Sequence, residues 1–211
     1  MRGRKELLRW GAWFATANVV IMAVIGSRYL LYYQWPGGVL ATAYTVLAYV
    51  GQLSLLAFVP YLVILAPLSL IFANRRASMI AGVVVAAAGI AALLLDTLVF
   101  AENRFHLNGL TISILGASTW TFAAIYLFVF LAFETVLARQ VAARLDGLAR
   151  MRLGPLVGAG LFSCLLGSHG IHAWADASYY VPVTGFTHYL PLYYPTTAKS
   201  FFERYGLIDL E

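Results

Sequence analysis

Charge is the scarcest commodity in this chain. Only 11% of its 211 residues are Asp, Glu, Lys or Arg, against about 25% in an ordinary soluble domain. That is too few to cover a water-facing surface. Cysteine is almost missing as well. Cys164 stands alone, which excludes an internal disulfide and any paired-cysteine metal or redox motif. No G-x-S-x-G, P-loop or low-complexity run occurs, so no catalytic signature points to an enzyme and none calls for a cofactor.

What is present is apolar. Hydrophobic residues make up 62% of the chain, and the mean hydropathy is +0.80. A membrane crossing needs about 20 mostly apolar residues. Five such stretches occur, at about 11–32, 43–72, 79–100, 119–137 and 155–175. All are expected to be helices, because lipid offers no partner to an open backbone. The second is longer than one crossing needs, and Pro60 and Pro67 lie inside it, so tilt, a protruding end or a kink is expected. The fold class is therefore all-α membrane protein, with five transmembrane helices over residues 1–177. The segment 178–211 follows as an interfacial linker bearing a short helix. An odd number of spans does not divide into two equal inverted halves, the common transporter signature.

Basic residues set the orientation. Arg2, Arg4, Lys5, Arg9, Arg75, Arg76, Arg139, Arg144, Arg150 and Arg152 fall on one side. Arg28, Arg104, Lys199 and Arg204 fall on the other. The N-terminus is expected in the cytoplasm and the C-terminus outside. The formal charge of +5 is thus a topology device, with no folded basic face for nucleic acid. Arg28 within the first span, and the length of that span, argue for a retained anchor over a cleaved signal peptide.

Polar residues inside spans are costly. Arg28, Asp96 and Asp176 should share a depth near the outer surface. They can form a cluster that orders the outer mouth or holds a headgroup, or simply a structural ion pair, which is the favoured reading. Glu134 should reach the inner interface. Asn18 and Gln52 read as buried interhelical hydrogen bonds. His169, His172 and Asp176 share one helix face, but no fourth ligand is apparent and no metal is expected. Small residues mark possible helix contacts at Gly11-x-x-x-Ala15, at Gly82-x-x-x-Ala86, and most densely at Gly154, Gly158, Gly160, Cys164 and Gly167. Residues 139–152 place Val141, Leu145, Leu148 and Met151 on one face beside arginines. That segment is either a leaflet-bound amphipathic helix or an extension of the fourth span.

The tail carries nine aromatics between Tyr179 and Tyr205. Residues with polar tips favour the headgroup layer. Thr196 or Thr197 is placed to cap a helix over 195–205. Its first N–H groups, Lys199 beside them, and the face of Phe201, Phe202 and Tyr205 make a phosphate-bearing lipid one natural ligand. A plain interfacial linker fits as well.

Several blocks carry a resemblance over nearly the whole chain. They are Ile25-Gly-Ser-Arg28-Tyr29-Leu30, Leu94-Leu-Asp96 with Val99-Phe100, and Arg104-Phe-His106-Leu-Asn108. Ser168-His169, Trp174-Ala-Asp176-Ala177, Tyr194-Pro195-x-Thr197-Ala198 and Gly206-Leu-Ile-Asp209 complete the series. In this order they resemble the N-terminal membrane domain of the YejM (PbgA) family of Gram-negative inner-membrane proteins. The resemblance implies five spans, an interfacial linker, and then a sulfatase/alkaline-phosphatase-like domain outside this chain. Leu210-Glu211 resembles a cloning-derived pair, so a truncated chain is expected. It also implies a non-enzymatic lipid sensor in the inner membrane. The lipid is lipopolysaccharide/lipid A at the periplasmic leaflet. The output is control of lipopolysaccharide synthesis through a LapB-type membrane adaptor of the FtsH protease. Cardiolipin binding or transport to the outer membrane is the alternative. A third is the membrane domain of a phosphoethanolamine-transferase-like enzyme. The implied lipid-binding residues are Thr197, Ala198, Lys199, Ser200, Phe201, Phe202 and Arg204. The family pattern has two adjacent basic residues where this chain has Lys199 and Ser200, so one charge of the pair is missing.

The charge bias yields a topology test. Single cysteines introduced into 34–42, 101–118 or 177–209, in a Cys164→Ala background, should react with an impermeant thiol reagent from the periplasm. Cysteine at position 147 should not, and labelling there would invert the orientation.

Overall fold

The computed structural model describes residues 3–206. Arg2 and residues 207–211, which hold Asp209 and Leu210-Glu211, lie outside the described residues. Five helices are long and apolar enough to cross a membrane: Arg4–Leu30, Val39–Phe72, Arg75–Asn103, Ala117–Arg150 and Gly154–Ala177.

The first is α1. The second is divided. Helix α2 (Val39–Pro60) passes into a π-helical turn (Tyr61–Leu65) and then α3 (Ala66–Phe72). Pro67 has no N–H and its ring crowds the preceding turn. The ladder widens there, with the Ala66 N–H donating to the carbonyl of Tyr61, five residues back. The expected kink is a π-bulge. Helix α4 (Arg75–Asn103) starts on an Asn74 cap, whose side chain accepts from the Arg76 and Ala77 N–H groups. A short α5 (Gly109–Ile114) opens on a capping box formed by Asn108 and Thr111.

Helix α6 (Ala117–Arg150) runs well past the expected end at 137. The amphipathic stretch is its continuation. Ala138, Val141 and Leu145 are buried against Trp10 and Phe14 of α1, and the Trp10 indole donates to the Ala138 carbonyl at 3.1 Å. The bundle therefore covers that face at Val141 and Leu145, leaving Leu148 half-buried and Met151 exposed. Helix α7 (Gly154–Ala177) completes the spans, followed by the single-turn α8 (Val181–Thr184) and by α9 (Lys199–Arg204).

Helix contacts form where backbones can approach. A Cβ at Gly51 would lie 2.7 Å from the Leu165 Cα, so α2 and α7 touch backbone to backbone beside Cys164. At Gly82 it would lie 2.9 Å from the Trp10 ring, and at Gly11 2.6 Å from Tyr61. In the small-residue run of α7, only Gly167 and the Cys164 backbone meet a neighbouring helix. Gly154, Gly158 and Gly160 have open space beside them. The densest stripe in the sequence is thus mostly unpaired, and the tightest crossing uses the isolated Gly51.

Of the two span polar residues expected to make interhelical hydrogen bonds, Asn18 does so, whereas Gln52 bonds the non-helical tail. Asn18 donates to Glu134 Oε2 at 3.2 Å, and Gln52 donates to the Pro191 carbonyl at 2.8 Å. Glu134 itself differs from expectation. It is fully buried against Asn18, because α6 packs its inner half on α1 and leaves that side chain no route to the interface.

Gly51→Leu should separate α2 from α7 at a cost of about 1–3 kcal/mol. Gly160→Leu, into open space, should be tolerated. Thermal unfolding in detergent checks both, and equal melting of the two variants would contradict the close α2–α7 crossing.

Candidate functional site

The C-terminal end of the bundle is organised by one acid. Asp96, near the end of α4 and buried, accepts from the Tyr29 hydroxyl at 2.5 Å and from the Leu107 N–H at 2.5 Å. The His106 Nδ1 lies 2.7 Å from the same carboxylate. The other ring nitrogen, Nε2, lies 3.2 Å from the His188 carbonyl. Both ring nitrogens thus lie within hydrogen-bond distance of an oxygen. The ring also stacks on Phe100, with centroids 4.7 Å apart. Asp96 thereby joins α1, α4, the following loop and the tail.

The expected ion pair of Arg28 with Asp96 or Asp176 does not form among the described residues. Successive residues of a helix point about 100° apart, and α1 turns Tyr29, not Arg28, toward Asp96. Arg28 keeps a buried Nε without a partner. Asp176 lies on the other flank, where its charge acts on Lys199.

The tail is not separate from the helices. Its middle section enters the bundle. Tyr189 donates to the Thr45 carbonyl at 2.8 Å, and burial pushes its hydroxyl pKa up, keeping it a neutral donor. Tyr44 donates to the Tyr193 hydroxyl at 3.3 Å. Gln52 holds Pro191 from below. Phe186, Tyr189 and Leu190 are buried in the main core. Histidines on α7 hold the end of this section. The Thr196 N–H donates to His169 Nδ1 at 3.3 Å, which makes that nitrogen an acceptor, and the Thr196 hydroxyl is 2.9 Å from it. His172 Nδ1 is 2.9 Å from the Thr196 carbonyl and donates to it. The histidines seen in the sequence as possible metal ligands therefore serve as a clamp on Thr196.

Beyond the clamp, Thr197, Ser200, Phe201, Arg204 and Tyr205 are exposed, with Ala198, Lys199 and Phe202 half-buried. Helix α9 is shorter than expected. It begins at Lys199 with Ala198 as an uncapped N-cap, because Thr196 is spent on the histidines. The Lys199 ammonium donates to the Tyr179 hydroxyl, sits 4.5 Å from the centre of that ring and 3.9 Å from Glu203. The Tyr179 bond is the main reason its pKa is raised. Phe201 and Tyr205 pack together, with centroids 4.7 Å apart.

Two neighbouring cavities flank the tail. The outer, about 430 Å³, is lined by Arg104, His106, Asn108 and His188 together with Tyr194. The inner, about 270 Å³, reaches Met22, Leu56 and Leu93 and is mostly apolar, with Asp96 and His106 also on its wall. His106, Leu107 and Leu192 line both. Basic side chains thus line the outer cavity beside a mostly apolar inner one. Arg104 is held at the mouth by its own helix end, donating to the Ala101 carbonyl at 2.6 Å and lying 4.2 Å from the centre of the Tyr32 ring. The sequence reading missed Tyr29, His106 and His188. The signal was present: a histidine ten residues after an intramembrane acid, across a loop.

Residues 2–211 match a family described as a domain of unknown function, DUF3413. The inner membrane protein YejM of Salmonella typhimurium strain LT2 is 35% identical over 215 residues, covering 98% of this chain and 36% of that protein. The protein of the same name from Salmonella typhi aligns equally well. An uncharacterized protein of Haemophilus influenzae strain Rd is 31% identical over 213 residues, covering 97% of this chain and 36% of its own length. The chain thus spans about a third of the length of the curated relatives it matches.

Asp96→Ala would strand the Tyr29 hydroxyl and the Leu107 N–H, at about 1–3 kcal/mol each. Asp96→Asn keeps an acceptor and should fall between wild type and Asp96→Ala in melting temperature. Faster hydrogen exchange at the Leu107 amide should accompany the loss.

Proposed function

The chain belongs to the DUF3413 family of inner-membrane proteins, and on that premise we propose that it is a non-enzymatic lipid sensor. Its ligand is lipopolysaccharide/lipid A on the side of the C-terminal tail. Its output is regulation of lipopolysaccharide synthesis through a LapB-type membrane adaptor.

One observation carries this reading. The exposed helix α9, with Lys199, Arg204, Phe201 and Tyr205, is tied to the bundle immediately upstream. Thr196 is clamped by α7, and Pro191 is held by α2. A ligand that orders α9 acts on residues bonded directly to two transmembrane helices, and those helices are what a membrane-embedded partner can touch. Phosphate recognition rests on the Lys199 and Arg204 side chains, because a six-residue helix contributes little dipole. Thr197 and Ser200 add hydroxyl donors. Acyl-chain burial on Phe201, Phe202 and Tyr205 supplies most of the affinity. The basic outer cavity and the mostly apolar inner one beside the tail support a lipid role on the same face. Cardiolipin, with two phosphates and four chains, is the competing ligand for the same features.

Lys199→Ala should weaken binding of lipid A to the purified protein by about fivefold, and should leave binding of a neutral diacyl lipid unchanged. Ser200→Arg, which adds a second charge, should strengthen lipid A binding. Lipid A binding that ignores both substitutions would reduce the tail to a linker. Preference for cardiolipin over lipid A would move the reading to the competing ligand.

A further inference from the structure

A further cavity of about 530 Å³ lies at the opposite end of the bundle, among α1, α2, the end of α6, the α6–α7 turn and α7. Its rim carries Arg9 and Arg152, and no carboxylate lines it. Both arginines are exposed. Among the described residues, neither makes an ion pair or a side-chain hydrogen bond. The interior is apolar, walled by Trp13, Phe58 and Leu148.

Two further observations set this place apart from an ordinary basic loop. Arg152 adopts a left-handed backbone (φ 52°) in the turn between α6 and α7, a region that non-glycine residues seldom occupy. Gly154 and Gly158 line the cavity, and a Cβ at either would meet nothing within 4 Å. This is the unpaired half of the α7 small-residue stripe. It has no protein neighbour, and it leaves a smooth wall where a side chain would narrow the groove.

Arg9 lies in the second turn of α1 and Arg152 in the α6–α7 turn, so both sit at the membrane surface on the N-terminal side. Guanidinium groups at that level, above an apolar groove, match a phosphate diester joined to acyl chains. We propose that this cavity binds an anionic glycerophospholipid of the leaflet on the N-terminal side. The phosphate lies between Arg9 and Arg152, and one acyl chain lies in the groove past Trp13 and Phe58 along Gly158. The proposal does not depend on the tail site.

Native mass spectrometry of the full chain, released from vesicles of equal phosphatidylglycerol and phosphatidylcholine, tests it. Wild-type protein should retain phosphatidylglycerol in preference. Arg9→Gln with Arg152→Gln should reduce that retention about tenfold or more. Gly158→Leu, which fills the groove and leaves both charges, should also reduce it. Arg75→Gln with Arg144→Gln removes the same charge elsewhere on that side and should leave retention intact. Equal retention of the two lipids by wild type would overturn the site, as would equal loss in the control pair. Displacement of the lipid by millimolar inorganic phosphate, with Gly158→Leu silent, would show a simple anion site and overturn the lipid assignment. Melting temperatures of all variants accompany the measurement, and Gly158→Leu reads the groove even where the arginine pair unfolds.

Discussion

The absence of water inside the bilayer governs this molecule more than any single contact. A backbone group there has no solvent to fall back on. Helices satisfy themselves, but residues 185–196 are largely non-helical and yet enter the bundle. They can do so only because side chains from the spans and the α4–α5 loop supply what a helix would. Gln52 satisfies the Pro191 carbonyl. His106 reaches the His188 carbonyl. His169 and His172 serve the N–H and the carbonyl of Thr196. Pro191 and Pro195 reduce the demand, since neither has an N–H to satisfy. The tail is thus a structural part of the membrane domain, and the polar residues of the spans are placed to receive it.

This explains why intramembrane polar residues lie where they do. Asp96 and Gln52 would each be a liability in a bare helix. Here each fastens a segment that cannot fasten itself, Asp96 the loop at Leu107 and Gln52 the tail at Pro191. Asn18 and Glu134 do the corresponding work between α1 and α6 deeper in the bundle. The Asp96 carboxylate is the more consequential, because on α4 it meets Tyr29 of α1 and both His106 and Leu107 of the following loop, and so couples these three elements.

The spans were legible in the sequence because hydropathy averages over some twenty residues and no single side chain decides it. The π-bulge was half legible. Pro60 and Pro67 announced a disturbance, but the widening to an i+5 ladder depends on how the chain relieves it. The candidate site was much less legible. Arg28 and Tyr29 are neighbours in sequence, and which of them meets Asp96 is settled by the rotation of α1. That rotation is fixed by Trp10 and Phe14 packing far down the helix. Aromatic clustering marked the tail as unusual, but composition alone cannot separate a ring at the lipid headgroups from a ring in a protein core. Tyr189 and Tyr193 are buried, while Tyr194 and Tyr205 are exposed. The stripe of small residues on α7 misled for a related reason. Small residues permit close approach without requiring it, and the approach occurs where Gly51 meets Leu165.

The same logic bears on how the tail is joined to the spans. Its middle is buried and multiply bonded, its end at α9 is exposed, and the junction between them is the Thr196 clamp on α7. Helix α7 is also the element whose closest partner is α2, through a crossing that tolerates no added atom at Gly51. That contact is backbone on backbone, so side-chain rearrangement cannot relieve it, whereas Gly154 and Gly158 near the start of the same helix face open space. One helix thus carries both a tight crossing and an open stripe. Sequence places glycine in both; only packing separates their roles.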